Sequence, residues 1–369
     1  MAPIMAPPAT FQSNPPLNHR LSSAIPVDSL AEAQRRLKTF LRSTQCDNDL
    51  LLRLPPSILD NPAITRILHS SERGNFKYSY DPQHNILKVF AMPRPLHDAI
   101  VALVGRFLMK GCFVTVEEFD CLSMWTREQQ MADTFAQGGV SWTKYPDALL
   151  MFGERPDAFK IPRIVFEVGF TETYDDLLND MRQWFENAVS PVAVVVLVKI
   201  EEDLRELRKH RRSDGVRSEP RRLLIDYGDE LAHSKHGIEL DCDFSGSPIP
   251  GLRNIPMSDI TVGDWVGPLK IFLELWEMDG TEPVLREPRI DILPATANPR
   301  NPKIRATDII PGSHRGLFEN FDGSRTGELD MSYYRAVIHA EISNLAYNRA
   351  VGQLRPESKE RAQDPDYLP

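Results

Sequence analysis

Apolar residues fall along this chain in two rhythms, a helical one and a strand one, and the switches between them outline the fold. In "VDSLAEAQRRLKTFLRS", Leu30, Ala33, Leu37, Phe40 and Leu41 recur at helical spacing behind Asp28 and Ser29, either of which can cap the first turn. A helix packed on the main body is expected there. "FKYSYDPQHNILKVFAMP" changes to two β-rich runs around a Pro-Gln-His-Asn turn, which predicts a hairpin. "PLHDAIVALVGRFLMKGC" returns to the helical period through Ile100, Val101, Val104, Phe107 and Leu108, with Gly111 as its stop.

Three short β-rich runs follow, "CFVTVEEF", "DALLMFG" and "RIVFEVGF", then a helix in "TYDDLLNDMRQWFENAV", then the run "PVAVVVLVKI". The last has almost no polar alternation, as befits a central strand covered on both faces. The order helix, three strands, helix, strand predicts an α/β fold, a mixed sheet flanked by helices. "LLIDYG", "GIELDCDF", "KIFLELWEM" and "RIDILP" are further strand candidates, followed by a Pro-, Asn- and Arg-rich linker over 295–314 and a last helix in "SYYRAVIHAEISNLAYNRAV".

These rhythms divide the chain. Residues 1–26, with Pro3, Pro7, Pro8, Pro15, Pro16 and Pro26 among small and polar neighbours, are expected to be a disordered arm. Residues 27–75 read as a helical region packed on the core, 76–200 as the core, and 201–222 as a charged basic loop. Residues 223–350 read as a β-rich extension ending in the C-terminal helix, and 351–369 as a disordered tail.

Composition narrows the partners rather than the fold. The 369 residues suffice for a substantial core, and 43 Lys and Arg against 52 Asp and Glu give a net charge of -9, which argues against coating nucleic acid by bulk attraction. Nucleic acid, if bound, must meet a local basic patch. Lys209 to Arg222 supplies one, with six basic and two acidic side chains. Cys46, Cys112, Cys121 and Cys242 lack CxxC spacing and read as free thiols of a reducing compartment. No run of about 18 apolar residues and no secretory layout is present, so the expectation is an intracellular protein of cytoplasm or nucleus with no membrane partner. Serine-hydrolase, Walker and paired-glycine nucleotide signatures are absent, as is zinc-type histidine spacing.

Two acids stand where apolar residues belong. In "RIVFEVGF", Ile164, Phe166, Val168 and Phe170 share one strand face, so Glu167 points from the other, beside Gly169. Asp147 opens the run "YPDALL". Burying an ionised carboxylate costs several kcal/mol unless it is paired, and two on adjacent strands repel, so a shared divalent cation would relieve both penalties. The competing reading of Asp147 is a strand-start carboxylate satisfied by backbone amides.

At these residues the chain resembles the PD-(D/E)XK nuclease superfamily, in particular restriction-endonuclease-like members of filamentous fungi. "AMPRPLHDAI" is similar to the family's first helix, "KYPDALL" to its aspartate strand, "FEVGFTETYDDLLNDMRQWF" to its glutamate strand and following helix, and "VVLVKI" to its last core strand. The resemblance covers about Tyr78 to Ile200. It implies a restriction-endonuclease-like core of order αβββαβ, with Asp147 and Glu167 as catalytic metal ligands, Asp98 as a third ligand, and Mg2+ or Mn2+ as cofactor. It also implies phosphodiester hydrolysis in nucleic acid, most naturally DNA, by a protein of a class that is often dimeric.

One position departs from the family. Two residues after the glutamate the family usually carries a lysine, which steadies developing charge on the phosphate; here Gly169 stands there. Lys199, Lys144 and Arg182 are candidate replacements, with Lys199 favoured because a lysine closing an apolar strand needs an anion or an exit to water. The alternative is a nuclease fold without catalysis, used as a binding or interaction module. Asp98 early in a helix also suits the positive end of the helix dipole, and Asp175, Asp176 and Asp180 suit a solvated helix face.

Overall fold

The computed structural model describes residues 24–42, 50–69, 76–81, 84–91, 96–97, 99–103, 114–126, 146–155, 160–170, 172–188, 190–213, 222–223, 256–296 and 300–353. It is a mixed α/β structure holding two principal sheets.

The first sheet joins β1 (Ile25–Pro26), β2 (Leu50–Arg53), β3 (Phe76–Asp81) and β4 (Ile86–Ala91) in the order β1-β2-β4-β3. Helix α1 (Leu30–Arg42) buries Ala33 and Leu37 completely, the stripe its spacing predicts. After the single turn α2 (Pro56–Leu59), α3 (Pro62–His69) adds Ile64 to the same core, which also holds Val27, Leu52, Tyr80 and Val89. Two expectations change. Ile25 and Pro26, placed in a disordered arm, pair in parallel with β2, because Ala24 and Val27 on either side are buried. The β3–β4 hairpin, assigned to the main core, belongs to this separate sheet; Asn85, at a φ of 56°, takes the left-handed conformation its turn requires.

The second sheet holds β5 (Leu122–Thr126), β6 (Ala148–Phe152), β7 (Ile161–Gly169), β8 (Val194–Glu202), β9 (Leu269–Asp279) and β10 (Glu282–Leu285), in the order β10-β9-β8-β7-β6-β5, with β11 (Ile290–Leu293) also on β9. Only β7 and β8 run parallel; the other pairs are antiparallel. Helix α4 covers 96–103 apart from Asp98, which lies outside the described residues. Among the described residues of "CFVTVEEF", 114–119, there is no strand: α5 (Val116–Asp120) forms instead. Glu118 N donates to Thr115 Oγ1 at 3.2 Å and Thr115 N to Glu118 Oε2 at 2.8 Å, a capping box that fixes a helix start.

Strand parity sorts the core into two faces. Ile164, Phe166 and Val168 of β7 join Val194, Val196 and Val198 of β8 against Leu96 and Ile100 of α4. Val165, Val195 and Leu197 face α6 (Tyr174–Asn187) through Leu177, Met181 and Trp184. Both faces of β8 are therefore covered, as its unbroken apolar run requires.

The basic loop expected over 201–222 opens with the last two residues of β8 and continues as a helix, α7 (Leu204–Arg211), because Asp203 Oδ1 accepts from Glu206 N at 2.8 Å and Leu207 reaches the core. Residues 214–221 and most of the strand candidates over 223–244 lie outside the described residues. Beyond the single turn α8 (Val262–Trp265), the linker expected over 295–314 contains β12 (Lys303–Arg305) and α9 (Ala306–Ile309); β12 pairs with β13 (Thr326–Glu328). Ile304, Ile309 and Ile310 there are fully buried, and so few apolar residues among Pro, Asn and Arg leave no periodic signal. The last helix among the described residues, α10, spans Met331–Gln353. Among the described residues no helix is long and apolar enough to cross a membrane.

Candidate functional site

The three described acids and bases singled out in the sequence meet at one end of the main sheet. Asp147 N donates to Phe166 O at 3.1 Å, and Asp147 Oδ2 accepts from Val168 N at 2.7 Å, so Asp147 brackets Glu167 on the neighbouring strand. Lys199 is the register partner of Gly169 in the parallel β7–β8 pair. β7 finishes at Gly169 and β8 three residues beyond Lys199, and carboxyl ends of parallel strands are where open α/β sheets commonly receive ligands. Asp98 and Lys144 lie outside the described residues, and Arg182 sits half-buried on α6.

Each of the three is already engaged. Asp147 is 1% exposed, and His97 Nε2 lies 2.6 Å from its Oδ1, so both carboxylate oxygens have protein partners. Glu167, 4% exposed, points toward α6 as its parity predicts, and Trp184 Nε1 donates to its Oε1 at 2.5 Å. Lys199 Nζ donates to Phe170 O at 3.1 Å and to Ile200 O at 2.9 Å. Separate donors therefore serve each carboxylate, and a backbone amide is among those of Asp147, as its competing reading has it. Both carboxylates are sealed from solvent and Mg2+ keeps several waters, so a hydrated divalent ion would reach them only with His97 and Trp184 withdrawn.

The sequence does not reveal the partners these residues meet. His97 stands beside Asp98 in "PLHDAI", and its partner Asp147 is 50 residues away. Trp184 lies within the helix the sequence predicts, but nothing local marks its indole as Glu167's donor. Lys88 of β4 reaches from the first sheet to Glu172 Oε1 at 2.8 Å and Asp176 Oδ2 at 3.9 Å. That pair adjoins Gly169, since a Cβ built there would lie 3.5 Å from Glu172 Oε2 and 3.3 Å from Leu177 side-chain carbons. A lysine at 169 would crowd both.

A third buried carboxylate lies in Glu167's row. Leu197 pairs with Glu167 on one side and with Glu274 on the other. Glu274 accepts from Tyr174 OH at 2.9 Å, Trp276 Nε1 at 3.1 Å and Arg289 Nε at 2.7 Å. Burial, with help from the Glu274 charge, pushes the Tyr174 phenol up to about 12. Comparison with known protein families, with curated proteins and with solved structures returns no match for this chain.

Proposed function

We propose that this chain is a nuclease-like binding module: a restriction-endonuclease-like core that recognises nucleic acid and in which the motif acids hold the fold instead of a metal. One observation carries the reading. Asp147, Glu167 and Lys199 direct their polar atoms to His97, the Val168 amide, Trp184 and two carbonyls, all inside the protein. The glycine at 169 removes the side chain that would otherwise aim a positive charge at a phosphate. The order α4, α5, β5, β6, β7, α6, β8, in which only the short α5 interrupts the expected αβββαβ, supports the kinship of the core.

A second reading has its own support. Asp147 and Glu167 stand abreast and Lys199 stands beside Gly169, the arrangement a hydrolase of this type would use, with Mg2+ or Mn2+ on the acids and Asp98 as a third ligand. It requires His97 and Trp184 to release the carboxylates. A homodimer is compatible with either reading.

The two part on Asp147→Asn. If the acid is structural, the variant loses about 1 to 3 kcal/mol of unfolding free energy, the usual cost of disturbing charged hydrogen bonds, while wild type gives no heat with Mn2+ in calorimetry and cuts neither DNA nor RNA. Mn2+-dependent cleavage that disappears in D147N and E167Q, with stability kept or raised, overturns the binding-only reading in favour of the hydrolase.

A further inference from the structure

Helix α7 carries a surface that the acid site does not explain. At about 100° per residue, Arg205, Arg208, Lys209 and Arg212 fall within one stripe roughly a quarter-turn wide, and all four are exposed. Leu207, on the opposite side, is buried. From Arg205 to Arg212 the stripe extends about 10 Å along the helix axis. Among the described residues Arg205, Arg208 and Arg212 form no ion pair, while Lys209 Nζ meets only the exposed Glu206, at 3.1 Å.

Apart from Glu206, three acids around this stripe, Glu202, Asp203 and Asp264, are engaged by the protein itself. Glu202 receives Arg349 through both oxygens, at 2.6 and 2.7 Å, and the Gly267 amide at 2.7 Å. Asp203 caps the helix, and Asp264 holds His210 at 2.8 Å. Arg211 Nε donates to Asp264 O at 2.6 Å and its guanidinium lies 4.8 Å from the centre of the Trp265 ring, so it is an anchor and not part of the surface. At Gly267 a Cβ would come within 2.6 Å of Asp203 O, so only glycine lets the chain pass this close to the helix start. The stripe is thus held rigid, and Glu206, paired with Lys209, is the acid of α7 left exposed beside it.

We infer that the Arg205–Arg208–Lys209–Arg212 face of α7 is a phosphate-contact surface for duplex DNA. This rests on the nucleic-acid-binding reading and gives it an address. Charge complementarity selects the partner: a polyanion with closely spaced fixed charges matches cations held at intervals of three and four residues. No exposed large apolar side chain lies on α7, so the stacking platform of a single-strand binder is missing from this face. Its apolar side, Leu207, is already in the core, so the helix has nothing to insert into a bilayer. The helix leaves the carboxyl end of β8, the end of the sheet that carries Lys199.

The test is binding of the full chain to a labelled duplex between about 50 and 200 mM salt, with EDTA present so that hydrolysis plays no part. The variant is R205Q/R208Q/R212Q, with the exposed R35Q on α1 as control. Each lost contact flattens the slope of log affinity against log salt by about 0.9, so the triple variant should lose about 3 units of slope and R35Q none. A triple variant that binds with wild-type affinity and slope overturns the inference, as does a wild type that ignores the duplex but binds single strands or phosphatidylserine vesicles. Because binding is read apart from cleavage, loss in the triple variant upholds the surface even if Mn2+-dependent hydrolysis is later found.

Discussion

Glu167 is tolerated at mid-sheet because the indole of Trp184 meets it at 2.5 Å, and that contact can be weighed by a double-mutant cycle. W184F removes the N–H but also some volume, and comparison with W184F in the E167Q background cancels the shared cavity term. A hydrogen bond to a charged acceptor should leave a coupling of about 1 to 2 kcal/mol in denaturant unfolding. Additive effects would show that the indole does nothing for the carboxylate. At this scale the chain is partly self-explanatory: parity alone turns Glu167 toward α6, and an acid among apolar residues identifies itself. Its donors do not, since Trp184 is 17 residues on and His97 is 50 residues from Asp147, and only packing decides which side chains arrive.

Among the elements, those with long, uniform periodicity were readable and those fixed by a single cap were not. The β8 run, α6 and α10 follow directly from apolar spacing. "CFVTVEEF" has β-prone composition, yet the Thr115–Glu118 capping box outweighs it, a signal present in the sequence as T-x-x-E. Asp203 does the same for α7. Helix α6 is fastened at its first turn to β9 through Tyr174 and Glu274, and this joint predicts an alkaline weakness. The Tyr174 phenol titrates near its ordinary 10 in the unfolded chain and at about 12 in the folded one. The folded state therefore holds the proton more tightly, and the contribution is complete below pH 10 and lost as pH rises toward 12. Urea unfolding across that window should show stability falling more steeply in wild type than in Y174F. Equal slopes would mean that Tyr174 is not coupled to folding.

For the molecule as a whole, the division into two sheets was the least visible feature. The hairpin of β3 and β4 has the same alternation whether it extends the main sheet or builds another, and local pattern contains nothing about which edge it joins. What couples the sheets near the acid site is a buried pair, Lys88 with Glu172, 84 residues apart. Burying an ammonium and a carboxylate together often gains little net stability, but removing one partner strands the other, at a cost of about 3 to 5 kcal/mol. K88M should therefore destabilise the protein by that order, and K88M/E172Q should recover much of the loss because the nearer and more buried carboxylate is no longer left charged, with only the more distant Asp176 remaining. Hydrogen exchange would locate the effect, with protection falling first in β4 and in the first turn of α6, the segments the pair joins. If K88M instead unfolds at the wild-type denaturant concentration, the two sheets are held by their apolar contacts alone, and Lys88 is left as a polar group beside Gly169 whose charge serves the site and not the fold.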